Sequence, residues 1–400
     1  MKASRPATAQ VALIATVALV GLNLRPFITG IGPLAAGIRA HTGLGLQGMA
    51  LLTLVPMLLM GVLAFAGPAL EHAVGARRAV LLALLMICAG CALRLLAGSG
   101  WVLVATAALA GAGVALVQAV FPGIVKRRFA GHVGPMMGLY SAMLMGGGAL
   151  GAVGAQAVSG ASGRWTWGLA CFAVPALLAA LLAAACLPAD ARRRPARHLR
   201  RALLARPRTW LLMACFGLVN GGYSSVVAWL APAYQEQGWS APASAGLLAV
   251  LAGSQALAAL LLPVLASKQR DRRPWLWFAL GMQALGFAGL AWAPGAAPHA
   301  LAAILGAGLG GCFALTLTVA LDHLPDPAQA GTLAALMQGG GFILAALPPW
   351  LVAALHERSA SYAPGWCWHL ACVGLVAALS VRFAPDGYLP AMPPVDDAGT

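Results

Sequence analysis

Charge is scarce in this chain. Asp, Glu, Lys and Arg make up 9% of its 400 residues, against roughly 25% in a soluble domain. Acids are the scarcer sign, 10 beside 25 Lys and Arg, for a formal charge of +15. Aromatic residues supply 7%, while hydrophobic residues supply 61%. That balance excludes a soluble enzyme, a secreted scaffold and a disordered tail. Cysteine in staple-like loops is missing too. Cys88, Cys91, Cys171, Cys186, Cys215, Cys312, Cys367 and Cys372 all fall inside apolar runs, so no disulfide framework is expected. Cys88 and Cys91 form a C-x-x-C without flanking charge, which reads as packing rather than redox or metal chemistry. There is no G-x-x-x-x-G-K-[ST] loop, so direct use of ATP is not expected. The histidines are scattered, and neither a metal nor any other cofactor is expected.

What the chain has is apolar length. Spans of about 20 residues plus short loops take roughly 30–35 residues each, so about twelve fit. Apolar runs occur near 9–38, 45–69, 76–97, 101–125, 133–158 and 166–187. A second set occurs near 209–235, 242–266, 274–294, 299–322, 332–356 and 366–385. In lipid every backbone polar group must be satisfied internally, so these runs are expected to be helices. The alternation of a membrane barrel is too weak here. Lys2 and Arg5 precede an apolar stretch from Val11 to Gly21, but Asn23-Leu24-Arg25-Pro26 follows instead of a small-residue cleavage site. The first run is therefore read as a retained helix. The expectation is an all-α membrane protein of twelve transmembrane helices.

Loop charge sets the expected orientation. With both termini inside, twenty of the 25 positive residues fall in inside loops: Lys2, Arg5, Arg77, Arg78, Lys126–Arg128, eight arginines from Arg192 to Arg208, Lys268, Arg270, Arg272, Arg273 and Arg382. Arg25, Arg39, Arg94, Arg164 and Arg358 remain. Positive residues mark cytoplasmic loops. The basic excess thus reports on topology beside a lipid bilayer and not on nucleic acid.

The long polar stretch Pro188–Arg208 divides six runs from six. The expected units are an N-terminal six-helix bundle (1–187), a basic cytoplasmic linker (188–208), a C-terminal six-helix bundle (209–388) and a tail (389–400). Internal similarity supports the division. Pro68-Ala69-Leu70 before Arg77-Arg78 recurs as Pro263-Val264-Leu265 before Arg272-Arg273, 195 residues on. Gly111-Ala112-Gly113 recurs as Gly306-Ala307-Gly308 at the same offset, and Gly146–Gly148 as Gly339–Gly341 at 193. Parallel repeats of this kind place a substrate site at their interface, near the midplane. Glycine rows let helix backbones approach closely.

Basic turns after the second and eighth helices, in a two-halved chain of twelve helices, resemble the major facilitator superfamily. The first turn keeps Gly67, Gly75, Arg77 and Arg78, the second Arg272 and Arg273; His72 stands where the family usually has Asp. More specifically, the chain resembles the branch of cyanate and nitroimidazole permeases. The resembling segments are Leu22–Pro26, Gly111–Ala115, Phe121–Phe129, Ala228–Leu230, Ala266–Arg273, Ala320–His323, Leu336–Ile343 and Arg382–Pro385. Ala231 breaks the branch's Trp-Leu-Pro run and puts Pro232 one residue late. The resemblance covers nearly all of 10–388. It implies the major facilitator fold, with two pseudo-symmetric bundles in a bacterial-type inner membrane. It also implies a monomeric transporter, not an enzyme, working by alternating access on a small anionic solute such as cyanate. A nitroimidazole-like compound or another organic anion is the alternative.

Arg25 is the most informative single residue. It lies about 16 residues, or ~24 Å, into the first run. A central arginine costs at least roughly 2.5–3.5 kcal/mol on insertion scales, and no Asp or Glu falls at a comparable depth. Two readings are open: the ligand supplies the negative charge, or Arg25 caps carbonyls freed by a kink at Pro26. Neutral polar residues that can share an anion site are Asn23 and Thr29 on the first helix, Gln118 on the fourth and Tyr140 on the fifth. Asn220 and Tyr223 on the seventh and Gln338 on the eleventh complete the set; Asn220 is the 195-offset equivalent of Arg25. Arg94 is expected to snorkel outward to a vestibule. Asp322 and His323, at the inner end of the tenth helix, are expected to serve a gate or loop contact, and His369 to lie toward a helix end. With no mid-membrane carboxylate, two modes of transport remain. One is facilitated diffusion; the other is co-transport with the proton on the substrate or on a histidine.

Cysteine-accessibility reporters at either terminus or between Pro188 and Arg208 are expected to read cytoplasmic in intact cells. An outside reading at any of the three positions contradicts the charge count.

Overall fold

The computed structural model describes residues 7–129, 133–187 and 197–393. Among these residues every regular element is helical, as the lipid-solvent argument requires. Twelve stretches are long and apolar enough to cross a bilayer. The first six are Gln10–Thr42, Leu46–Phe65, Ala76–Leu96, Gly100–Val125, Met136–Ser162 and Trp165–Cys186. The seventh to twelfth are Pro207–Glu236, Ala241–Ala266, Arg273–Trp292, Pro298–Asp322, Gln329–Ser359 and Ala363–Phe383. They are called the first to twelfth spans below. The surroundings of Gly67 and His72, the Lys126 and Arg127 side chains, residues 188–196 of the linker and the tail from 394 lie outside the described residues.

The first span corrects the expectation of one continuous helix. A helix over Ala7–Leu22 stops, and a separate helical turn starts at Pro26–Thr29. A short 3-10 segment, Gly32–Leu34, and a helix over Ala35–Thr42 complete the crossing. Pro26 is the cause. It has no N–H to offer Leu22, and its ring clashes with the preceding turn, so it fits only at the start of a new helix. Arg25 is the residue at that joint, flanking the Pro26–Thr29 turn.

A broken helix leaves an uneven surface, and the fifth span fits it with glycine. A Cβ on Gly147 would run into the Leu22 carbonyl oxygen, and one on Gly151 would lie 2.5 Å from Pro26 Cα. The eleventh span is also broken, into Pro327–Ala346 and Pro348–Ser359. Two carbonyls beside that break, Ala345 O among them left without its usual donor by Pro349, accept from the seventh span. Trp229 Nε1 donates to Pro349 O at 2.8 Å, and Ser224 Oγ to Ala345 O at 2.7 Å.

The internal repeat reappears as contacts. A Cβ on Gly111, in the fourth span, would lie 2.6 Å from Pro56 Cα of the second. One on Gly306, in the tenth, would run into Leu251 of the eighth. Pro56 and Leu251 are themselves 195 residues apart. The two halves meet along two seams. The second and eleventh spans touch at Gly61 and Ile343 and at Phe65 and Gly339; the fifth and eighth touch at Gly138 and Leu260.

One face of the molecule carries most of the described positive residues. There Arg77 donates to Ala184 O of the sixth span. Arg272 donates to Ala266 O, to Gln269 O and to Asp322. Gly75, beside Arg77, adopts φ 86°, a conformation that a Cβ makes costly. A short helix, Arg197–Leu204, lies on this face, and Arg200 donates to Phe65 O of the second span at 2.8 Å. At the opposite face two hydrogen bonds cross between the halves. Gln47 donates to Glu357 at 2.6 Å, and Gln235 donates to Pro33 O at 3.0 Å.

Gly146 and Gly147 offer an internal control. Nothing lies within 4 Å of a Cβ built on Gly146, whereas at Gly147 the obstacle is backbone. Gly146→Ala is expected to hold or raise the thermal unfolding temperature, since Ala favours a helix by up to ~1 kcal/mol. Gly147→Ala is expected to lower it, at the ~1–3 kcal/mol cost of overpacking. Equal shifts in the two purified variants contradict the packing described.

Candidate functional site

Arg25 is buried, with 5% of its surface exposed. Its guanidinium carbon lies 4.5 Å from the centroid of the Tyr223 ring. Arg25 belongs to the first span and Tyr223 to the seventh, so this contact joins the two halves. The guanidinium forms no hydrogen bond with the described residues, and among them no Asp or Glu is buried. A desolvated cation–π contact supplies about 2 kcal/mol. Burying a cation costs at least roughly 2.5–3.5 kcal/mol even on the lenient scale. The ring therefore does not fully offset the charge, and the five donors of the guanidinium remain available.

Tyr140, on the fifth span, is the second polar group here. Its hydroxyl is buried without a partner, and its ring tilts against Phe121 at 5.7 Å. The span that carries it packs against the joint of the first, with Gly151 facing Pro26. Gly148, two turns further along the same span, keeps the approach open. A Cβ there would lie 3.7 Å from Arg25 Cβ and 3.9 Å from Ala252 of the eighth span. The structure thus brings together three of the expected site residues, Arg25, Tyr140 and Tyr223.

The other polar residues are placed differently. Asn23 spends its amide on Leu19 O at 2.8 Å and Pro175 O at 3.1 Å, pinning the joint of the first span to the sixth. It is a fastener, which corrects its expected place as a ligand. Thr29 donates back to Arg25 O at 3.2 Å, and Asn220 to Phe216 O at 2.8 Å. Gln118 and Gln338 are half-buried and form no hydrogen bond with the described residues.

Arg94 is a correction. It does not snorkel: none of its surface is exposed. The third span ends in a 3-10 turn, Leu93–Leu96. That turn exposes Leu93, Leu95 and Leu96 and points Arg94 inward. Its Nη1 donates to Phe27 O at 2.8 Å, while Nε and Nη2 have no partner. The neighbouring carbonyls of Arg25, Pro26 and Ile28 accept from backbone N–H groups. The side chain that caps the joint is therefore Arg94, and of the two readings open for Arg25 the capping one is not what the structure shows.

Asp322 sits at the end of the tenth span, 3.0 Å from Arg272. His323 is buried beside it, with Nδ1 on Val319 O and its ring stacked on Tyr388 at 4.0 Å. Burial pushes His323 down to about 4, so it is neutral near pH 7. These groups line a cleft of about 510 Å³ with Arg270, Pro385 and Asp386. His369 differs from its expected place. It lies inside the twelfth span, stacked on Phe287 at 5.1 Å, with neither ring nitrogen partnered.

Sequence reasoning missed the fasteners. Gln47 and Gln235 join the halves at the face opposite the basic one, and Arg94 holds the joint. The only signal for Arg94 was a charge inside an apolar run. Which way it points depends on the last turn of the third span. Gln47 and Gln235 are end-of-helix amides, whose partners only the three-dimensional pairing identifies.

Tyr140→Phe removes an oxygen that makes no bond. A buried unsatisfied hydroxyl costs about 1–3 kcal/mol, so the variant is expected to unfold at the same temperature as the parent or higher. A clear loss of thermal stability contradicts the placement of Tyr140.

Residues 12–349 match the Major Facilitator Superfamily. The chain is 42% identical over 377 residues to the cyanate transport protein CynX of Escherichia coli (strain K12), covering 93% of this chain and 97% of that protein. It is 29% identical over 395 residues to the 2-nitroimidazole transporter of the same organism, covering 94% and 95%. Among solved structures, a bacterial homologue of the human lysosomal transporter Spinster, inward-facing and unoccupied, superposes with a TM-score of 0.76 at 16% identity, covering 99% and 100%. A D-xylose–proton symporter superposes with a TM-score of 0.77 at 15% identity, covering 94% and 98%. At those identities the solved structures speak for the fold. The chain belongs to the Major Facilitator Superfamily and is a multi-pass membrane transporter.

Proposed function

We propose that this transporter carries a small monovalent anion, cyanate, across a bacterial inner membrane by alternating access, with Arg25 as the anion ligand. One observation carries the reading: a buried guanidinium, with no buried acid among the described residues, lies on a ring of the opposite half. Cyanate is linear, singly charged and has an acceptor atom at each end. It is small enough to sit between a guanidinium and a hydroxyl such as that of Tyr140. The substrate name comes from the 42% identical relative. The 29% identical relative makes a nitroimidazole the competing solute in any assay.

In this reading the units are 1–187 and 209–388, joined by the linker 188–208 and followed by the tail 389–400. Both termini are cytoplasmic. The transporter works as a monomer in this reading, with both sides of the Arg25–Tyr223 contact supplied by one chain. The halves rock about the glycine-lined seams, where small residues offer few side chains to disengage. Opening the face opposite the basic one requires breaking Gln47–Glu357 and Gln235–Pro33. A neutral hydrogen bond is worth about 0.5–1.5 kcal/mol net, and one to a charged group about 1.5–3. Those straps are within reach of the differential affinity that moves a two-state equilibrium. Coupling through a buried carboxylate has no carrier among the described residues. Facilitated diffusion, or a proton travelling with the substrate or on a histidine, is the mode proposed.

The experiment is cyanate uptake into proteoliposomes. Arg25→Ala is expected to insert normally and to abolish uptake. Arg25→Lys is expected to keep little activity, because a point charge replaces a planar fork of donors. Uptake by Arg25→Ala at the parent rate overturns the reading, as does selective uptake of 2-nitroimidazole over cyanate by the parent.

A further inference from the structure

The joint in the first span holds two buried arginines, and only one of them faces the other half. We propose that Arg94 is a positioning residue for Arg25 and the second fixed charge of the anion site. This inference rests on the reading of Arg25 as the anion ligand.

The Pro26–Thr29 turn ends after four residues, Ile31 N–H bonds to Ile28 O instead of Phe27 O, and Phe27 O accepts from Arg94 Nη1 at 2.8 Å. A buried carbonyl without a donor is costly and seeks one. Phe27 is two residues from Arg25, whose long side chain carries five donors. Without Arg94, no described group donates to the Phe27 carbonyl, and the backbone beside Arg25 loses a fixed point. Arg94 satisfies that carbonyl from behind, through the third span, and leaves the Arg25 guanidinium on the Tyr223 ring. Asn23 fixes the other side of the joint by its bonds to Leu19 O and Pro175 O.

None of the Arg94 surface is exposed, and Nε and Nη2 have no partner. Among the described residues no Asp or Glu is buried, so no carboxylate neutralises Arg94. A unit charge in a low-dielectric interior acts over a distance that water would screen. The joint is therefore doubly positive, and an anion is favoured there by two cations while it contacts one.

The test separates donor from charge at position 94, with cyanate uptake in proteoliposomes as the readout. Arg94→Lys keeps a donor and the charge. Arg94→Gln keeps a donor and loses the charge. Arg94→Met loses both. Reconstituted amounts are matched, and thermal unfolding is measured on each purified protein. Arg94→Gln is expected to raise KM for cyanate on the order of tenfold, the scale on which one unit charge acts through an effective dielectric of about 20. Arg94→Lys is expected to keep KM within about threefold of the parent. Arg94→Met is expected to lose stability as well, through the uncapped carbonyl. A purely structural Arg94 would lower the amount of active protein and Vmax while leaving KM unchanged. The proposal is overturned if Arg94→Gln keeps the parent KM, or if Arg94→Lys raises KM as much as Arg94→Gln. Should Arg25→Ala be inactive while Arg94→Gln keeps the parent KM, this inference falls and the Arg25 ligand stands. Should Arg25→Ala transport normally, both fall.

Discussion

A positive charge buried without a carboxylate governs the centre of this transporter. Arg25 lies on the Tyr223 ring, and that contact offsets only part of the cost of taking a guanidinium out of water. The remainder has to be met by an anion or by solvent entering from one face. An empty carrier with this deficit is biased toward states in which the cation is wetted or occupied. Substrate binding and conformational preference are then two aspects of a single electrostatic imbalance. The same imbalance explains the chemistry around the site. The groups beside Arg25 are a hydroxyl, an aromatic ring and glycines, none of which would compete with an anion for the charge.

The backbone serves that arrangement. Pro26 stops the first helix beside Arg25, and side chains that cross between spans fasten the broken ends. Asn23 holds one side and Arg94 the other. The fifth span accommodates the irregular segment through Gly147 and Gly151. The eleventh span repeats the device with Pro348 and Pro349, and there Trp229 and Ser224 supply the donors. In both places a proline interrupts a span, and a neighbouring span donates to a carbonyl beside the break, as an apolar surrounding favours. Elsewhere the halves meet along seams in which a glycine faces a larger side chain, and through hydrogen bonds at one face.

Much of this was legible in the sequence for simple reasons. Apolar length and its solvent gave the spans, and the offset of 195 gave the repeat that reappears as the paired contacts Gly111–Pro56 and Gly306–Leu251. Arg25 stood out because its cost can be estimated without coordinates. Tyr140 and Tyr223 were reached as polar residues on particular helices, but nothing in the sequence distinguished them from Asn23, Asn220 or Gln338. For the two asparagines that distinction depends on where each amide finds a carbonyl. Asn220 finds one in its own preceding turn, and Asn23 finds one on another span. Arg94 was misplaced because proximity to Gly98 suggested a route to the surface. The 3-10 turn at the end of the third span rotates it inward instead. Gly146 and Gly147 look alike in the sequence, and only the packing shows which one faces backbone.

The central claim is that the Arg25 guanidinium takes its counter-charge from the substrate. The direct measurement is the thermal stability of purified protein titrated with potassium cyanate at constant ionic strength, with potassium chloride as the balancing salt. A ligand that binds only the folded state stabilises it by RT ln(1 + [L]/Kd). The account predicts a saturable rise in unfolding temperature for the parent and none for Arg25→Gln. The same saturable rise in Arg25→Gln would contradict it, because the anion would then be held by something other than this charge.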